Sequence, residues 1–269
     1  IRPRPARYDT NDYSGYYLKH LFCISRHALD LFPRMCYQVE NFYPVGSLRA
    51  SLDFDPQLSM GNEKYDILVA SSWVGSAGSS REAQDIMRSM KIMDHLLAKY
   101  LRDRNIKAAV IMRSDIDSEH RFMPEIGLSE DSYFREVYGN CIEIIENTNP
   151  KRNIFPLMQM SRLIVTCLCS APIDAFGIGK KVLFCDFIGS GFYYQDLPPS
   201  IVTSNSNFES FAQRLDDLLR MSKEEYCQIN QESQKYYMSN PPDKLTYQAI
   251  KDGIDQIIQN AELNHVENA

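Results

Sequence analysis

The sequence predicts an α/β fold built on a parallel sheet with helices on both faces, and three observations carry that prediction. Strand and helix signals alternate from Tyr65 to Ser204, the pattern of strands joined through helical crossovers. The strand signals are continuous apolar runs, such as ILVA at 67–70 and LIV at 163–165, the mark of strands buried on both faces. Between the first two strands, Arg81 to Arg102 carries Ile86, Met90, Met93, Leu96, Leu97, Tyr100 and Leu101 at helical spacing.

Each element follows in order. Residues 1–10 are basic and proline-rich and read as an extended lead-in. Residues 16–32 mix helical and strand features, and Pro33 ends them. Residues 37–50 read as a short strand and a turn at Pro44 and Gly46, and 51–63 as a polar linker. An apolar run at 65–72, ending in small residues, reads as a buried strand and leads into a small-residue loop up to Ser80. The long helix leads to a strand at 106–113 and a polar loop at 115–129. A short helix begins after Ser129, its expected N-cap. Strands at 141–146 and 162–170 flank a helix at 154–161, and a further helix opens at Pro172. Strands at 181–187 and 201–204 precede helices at 207–220, 222–238 and 243–261. The expected organisation is an N-terminal extension or remnant of a first domain plus linker over 1–63, an α/β domain over 64–261 and a tail over 262–269.

Of the 269 residues, 44% are hydrophobic and 24% charged, the composition of a soluble globular chain with a sizeable core. The net charge of -6 argues against nucleic acid as a partner, which usually calls for a basic face. The 16 tyrosines and 13 phenylalanines do not interleave with basic residues as a nucleic-acid platform would. Seven cysteines show neither metal-like nor paired spacing, and Cys167 and Cys169 are expected on one strand face as small buried hydrophobes. This usage fits a reducing, cytoplasmic location. No run approaches the roughly 18 apolar residues of a membrane span. A P-loop and a dinucleotide-type glycine fingerprint are both missing. Neither a metal nor another cofactor is expected.

Ligands of open parallel sheets bind outside the carboxyl ends of the strands. Two loops there suit a phosphate. SSWVGSAGSS (71–80) combines hydroxyls, open backbone and the start of a helix, which favours an anion. Ser71, Ser72 and Gly75 are its candidate donors. In the plainer alternative, Ser79 or Ser80 caps the helix and the glycines shape a loop. Trp73, the single tryptophan, either stacks on a base or sugar or covers the core. The second loop, from Cys169, ends a strand at Ser170 and enters a helix at once through Pro172, whose missing N–H costs nothing there. Ser170 and the first-turn backbone around Ala171, Ile173 and Asp174 would face an anion, with Asp174 as a ribose acceptor. The alternative is an ordinary helix with an acidic first turn and a glycine C-cap. Arg113, at a strand end, suits a diphosphate, as does Lys180; both could equally be surface cations. Glu130 reads as a capping residue, and His27 and His95 as packing residues. Glu119 and His120 sit in the polar loop.

The stretch SRLIVTCLCSAPIDAFGIGKKVLFCDF (161–187) resembles the signature of GT-B glycosyltransferases and the related sugar-nucleotide epimerases. In that family a strand enters a serine turn, a helix carries an acidic residue, and a "GKPVL" strand follows. The resemblance implies a Rossmann-like domain in which Ser170 holds donor phosphates and Asp174 the ribose. Asp174 stands where Glu is usual, and Ala171 where Ser or Thr is common. Most of 65–187 resembles bacterial surface-carbohydrate transferases, and PVGSLRA (44–50) the segment that closes their N-terminal domain. The chain would then be mainly the C-terminal, donor-binding half. The function implied is glycosyl transfer from a nucleotide-sugar donor to a glycan or lipid-linked acceptor, with room for peripheral membrane association. No residue is assigned as catalytic base. Two other readings stay open: a sugar-nucleotide epimerase or polyol-phosphate transferase of the same fold, and a nucleotide- or glycan-binding module without catalysis.

Overall fold

The computed structural model describes residues 16–34, 37–53, 63–75, 81–102, 104–115, 121–147, 154–167, 169–189, 197–239 and 245–267. The chain forms two compact units, one of residues 1–52 with 234–269, the other of residues 53–233. This differs from the expected division, because the C-terminal helix groups with the N-terminal segment.

In the first unit, β1 (Tyr16–Cys23) and β2 (Tyr37–Pro44) pair in parallel, joined by α1 (Arg26–Arg34). The mixed signal at 16–32 was thus a strand and a helix in succession, and Pro33 lies inside the last turn of α1 rather than ending it. α2 (Leu48–Asp53) follows, and α9 (Thr246–Glu267) runs through most of the expected tail. His27 is stacked on Tyr237, ring centroids 4.6 Å apart. Gly253 of α9 lies against Phe22, and a Cβ there would come within 2.7 Å of the ring.

The second unit is built on a six-stranded sheet, all parallel, in the order β10-β9-β8-β3-β4-β7. These are β3 (Tyr65–Ala70), β4 (Ala108–Asp115), β7 (Glu143–Asn147), β8 (Ser161–Thr166), β9 (Val182–Cys185) and β10 (Val202–Thr203). The strands at its centre are buried almost throughout: Ile67, Leu68, Val69, Leu163, Ile164 and Val165 have no exposed surface. That burial is why their sequences are unbroken apolar runs. β7, at one edge, is only partly buried, with Glu143 accepting a hydrogen bond from Tyr65 at 2.8 Å.

The crossovers are α3 (Arg81–Arg102), α4 (Glu130–Tyr138), α5 (Ile154–Gln159) and α6 (Ser170–Gly177), with α7 (Phe208–Arg220) after the last strand. α8 (Lys223–Tyr237) passes from this unit into the first. The loop expected at 115–129 contains a small antiparallel pair, β5 (Phe122–Met123) and β6 (Leu128–Ser129). Ser129 does hold the cap position of α4, yet its side chain accepts no backbone N–H. Its hydroxyl donates instead to Asp131 at 2.8 Å. Lys181 closes α7 by donating to the carbonyls of Leu218 and Met221, each at 2.8 Å, a cation where the helix dipole is negative. Among the described residues no helix is long and apolar enough to cross a membrane.

Candidate functional site

The strand order decides where a ligand can sit. From β3 the chain steps through β4 to β7, then returns to the other side of β3 for β8, β9 and β10. This is the 3-2-1-4-5-6 order of doubly wound sheets, whose crevice opens where the direction reverses, at the carboxyl ends of the first and fourth strands. Here those strands are β3 and β8, hydrogen-bonded neighbours in register from Tyr65↔Ser161 to Val69↔Val165. Their outgoing loops carry Ser71 to Gly75 and Cys169 to Ser170, so the two loops picked out in the sequence share one rim.

The first loop is held by a closed set of hydrogen bonds. Glu130, which has no exposed surface, accepts from the Ser71 hydroxyl at 2.5 Å and from the Arg113 backbone N–H at 2.8 Å. Ser71 Oγ in turn accepts from the Trp73 backbone N–H at 3.2 Å. The Arg113 guanidinium donates to the Trp73 carbonyl at 2.6 Å. Ser72 is buried, its hydroxyl 3.5 Å from that of Thr166 at the end of β8. Gly75 turns the chain with φ of 54°, a left-handed conformation that glycine adopts without strain.

Several expectations change on this geometry. Glu130 is the first residue of α4, behind the cap position that Ser129 holds, and it is a buried acceptor joining the ends of β3 and β4. Trp73 covers the core: it is 1% exposed, with its ring 5.6 Å from that of Tyr133. The side chains of Ser71 and Ser72 are likewise buried, which leaves backbone as what residues 71–75 offer a ligand. Arg113 lies exposed on the same rim, and of its five guanidinium N–H donors one goes to the Trp73 carbonyl among the described residues.

At the second loop, Cys169 takes the cap position of α6 with extended backbone and places no side-chain acceptor on the helix amides. Cys167 and Cys169 both lie beyond β8, so they do not share a strand face as expected; Cys167 is buried and Cys169 half-buried. Ser170 is exposed at the first helical position, and Ala171 and Pro172 are buried behind it. The first turn thus has the amides of Ser170, Ala171 and Ile173, with Pro172 contributing none. Asp174 is 3% exposed, so its carboxylate faces protein, and a ribose contact would need the side chain to turn.

Lys180 is corrected most sharply. It precedes β9 and donates to the Gln159 carbonyl, just before β8, at 2.7 Å. Both positions mark the amino ends of the strands. α6 has carried the chain back over its eight residues, about 12 Å, so Lys180 stands on the rim opposite Ser170. Burial, then the neighbouring Lys223, lowers its pKa to about 8.

Sequence reasoning also missed a support beneath the rim. Asp94 of α3, wholly buried, accepts from Tyr138 at 2.6 Å and from Tyr133 at 3.0 Å, both on α4. Burial raises its pKa to about 7, against the two tyrosine hydroxyls that favour the carboxylate. The signal available was a lone Asp on the apolar stripe of α3. His95, beside it, is exposed rather than packed. Glu119, His120, Ser79 and Ser80 lie outside the described residues. Among the described residues, no group of three or more His, Cys, Asp or Glu is disposed to hold a metal ion.

No protein-family model and no curated protein sequence matches the chain. Among solved structures, a variant of the wall teichoic acid polymerase TagF aligns with 90% of the chain, at a TM-score of 0.53 and 16% identity. A second TagF variant gives 0.52, also over 90% and at 16% identity. The UDP-GlcNAc 2-epimerase of Methanocaldococcus jannaschii, in complex with UDP-GlcNAc and UDP, gives 0.49 over 78% of the chain at 14% identity. The fold is GT-B. The chain spans 59% of the length of either TagF variant and 56% of the epimerase. Within this GT-B fold, the serine turn on which the sequence resemblance rests is the loop that enters α6.

Proposed function

We propose that residues 53–233 bind the phosphates of a nucleotide-activated sugar at the rim between β3 and β8, and that the chain serves glycosyl transfer in surface-carbohydrate synthesis. The observation that carries this reading is the reversal of strand order between β3 and β8, which brings the start of α6 and the 71–75 loop to one rim. The amides of Ser170, Ala171 and Ile173, with the positive end of the α6 dipole, would receive the diphosphate. The Ser170 hydroxyl would add a donor, and the backbone of 71–75 would close the other side. Arg113 would neutralise charge as the phosphate departs, the electrostatic stabilisation such a transfer needs. The shared fold with a wall teichoic acid polymerase supports the surface-carbohydrate setting.

Calorimetric titration with UDP, GDP, CMP and CDP tests the reading and names the base. Binding of one nucleotide, weakened at least tenfold by Ser170→Glu, is the expected result. Binding of none of the four would overturn it. Turnover of the matching nucleotide sugar separates a transferase from a binding module.

A further inference from the structure

Glu130 stands apart from its surroundings: a carboxylate with no exposed surface, set at the first position of α4, two strands away from the start of α6. Two of its donors belong to the rim. One is the Ser71 hydroxyl at the exit of β3, the other the Arg113 backbone N–H near the end of β4. Through Ser71 it reaches the Trp73 N–H at 3.2 Å, and the Arg113 side chain holds the Trp73 carbonyl at 2.6 Å. The peptide groups on either side of Trp73 are thereby fixed by two residues that Glu130 itself anchors. Loss of a buried acceptor strands its donors, which costs more than the bond itself contributes. Nothing in the fold of the sheet requires this arrangement, since β3 and β4 are already paired through their backbones.

We propose that Glu130 is a positioning residue that presets the 71–75 loop for a nucleotide diphosphate, acting through Ser71 and Arg113. This rests on the reading of the β3–β8 rim as a nucleotide-sugar site. Preorganisation lowers the ordering cost of binding, so the residue matters to affinity without touching ligand. Trp73 is the single tryptophan of the chain, and its fluorescence therefore reports on this loop and on the core beneath it.

The test compares Glu130→Ala, Glu130→Gln and Ser71→Ala with the parent chain, in acrylamide quenching of Trp73 and in titration with UDP, GDP, CMP and CDP. Glu130→Ala is expected to raise the quenching constant and to weaken nucleotide binding roughly tenfold. Glu130→Gln keeps an oxygen acceptor and should recover most of both; Ser71→Ala should fall between. Circular dichroism should stay unchanged in all three. If Glu130→Ala does not fold, Ser71→Ala against Glu130→Gln still decides. Unaltered Trp73 quenching in the folded variants overturns the proposal, whatever the nucleotide result. Quenching that changes while the parent chain binds no nucleotide leaves Glu130 as the anchor of the loop and overturns its role toward a ligand together with the site. Quenching that changes while nucleotide affinity does not also overturns that role.

Discussion

The hydroxyls of Ser72 and Thr166 face one another 3.5 Å apart where β3 and β8 end side by side. Thr166 also donates to the Ala70 carbonyl at 2.9 Å, which ties the exit of β8 to the exit of β3. The junction is buried, so the rim does not splay open between its two central strands. A ligand received there meets backbone already fixed on both sides.

Replacing Thr166 by Val keeps the volume but leaves the Ala70 carbonyl without that donor. A buried neutral hydrogen bond is worth about 1 kcal/mol net, and an unsatisfied partner about 1–3. Thr166→Val is therefore expected to lower Tm by several degrees and to weaken nucleotide binding as well. A calorimetric scan with a parallel titration checks both. An unchanged Tm would mean that the carbonyl finds another partner and the junction is not held by this bond.

Of the two cations nominated from sequence, Arg113 shares the rim of the 71–75 loop and of Ser170, whereas Lys180 lies on the opposite one. Lys180 is bound to the Gln159 carbonyl at the amino ends of the strands, so Lys180→Ala should leave nucleotide affinity within about twofold, well under the 1.4 kcal/mol of a tenfold change. Ser170→Glu places a negative charge in the first turn of α6, where the helix dipole favours it. That variant should keep or raise Tm while losing at least tenfold in affinity. Equal losses from the two variants would contradict the placement of the site at the carboxyl ends.

Most of the sheet was legible because burial on both faces writes itself as unbroken apolar runs, and α3 because its apolar residues recur at 3.6 spacing. The strand expected at 65–72 corresponds to β3, which ends two residues earlier at Ala70, and the helix at 81–102 matches α3. What could not be read was choice of partner. Glu130 looks the same in sequence whether it caps α4 or reaches Ser71, since the two lie 59 residues apart. Lys180 was adjacent in sequence to the serine turn and distant in space, because α6 intervenes. The side on which α9 packs is likewise a tertiary fact: its apolar residues do not name β1 as their neighbour.

Asp94 should make stability fall as pH rises. In the unfolded chain its carboxyl releases its proton near its ordinary value of 3.8, whereas burial holds the proton in the folded state to about pH 7. Between these values the folded state binds more protons, so the contribution is complete below about pH 4 and is lost as pH passes 7. The slope is roughly 1 kcal/mol per pH unit. The charged and titratable neighbours, Tyr133, Tyr138 and Glu130, stay in place in Asp94→Asn. The stability difference between the parent and Asp94→Asn in urea should therefore shrink from pH 5 to pH 7 and level off above. A difference independent of pH would show that Asp94 is ionised throughout.

Gly253 invites the opposite of the usual expectation for a helix interior. Alanine there normally stabilises by about 1 kcal/mol, through lower backbone entropy in the unfolded chain. In α9, however, the added methyl would stand 2.7 Å from Phe22 Cε1 and 3.1 Å from its Cζ. Phe22 has little freedom to withdraw, since its ring is stacked on Tyr43 with centroids 4.7 Å apart. Overpacking of this kind costs about 1–3 kcal/mol, which outweighs the helix gain. Gly253→Ala should accordingly lower stability, and adding Phe22→Leu, which shortens the opposing side chain, should recover part of the loss. Thermal denaturation of the single and double variants reads the coupling directly. A stabilised Gly253→Ala would mean that α9 can shift outward from β1 at little cost, and that the close contact at Phe22 is not what selects glycine.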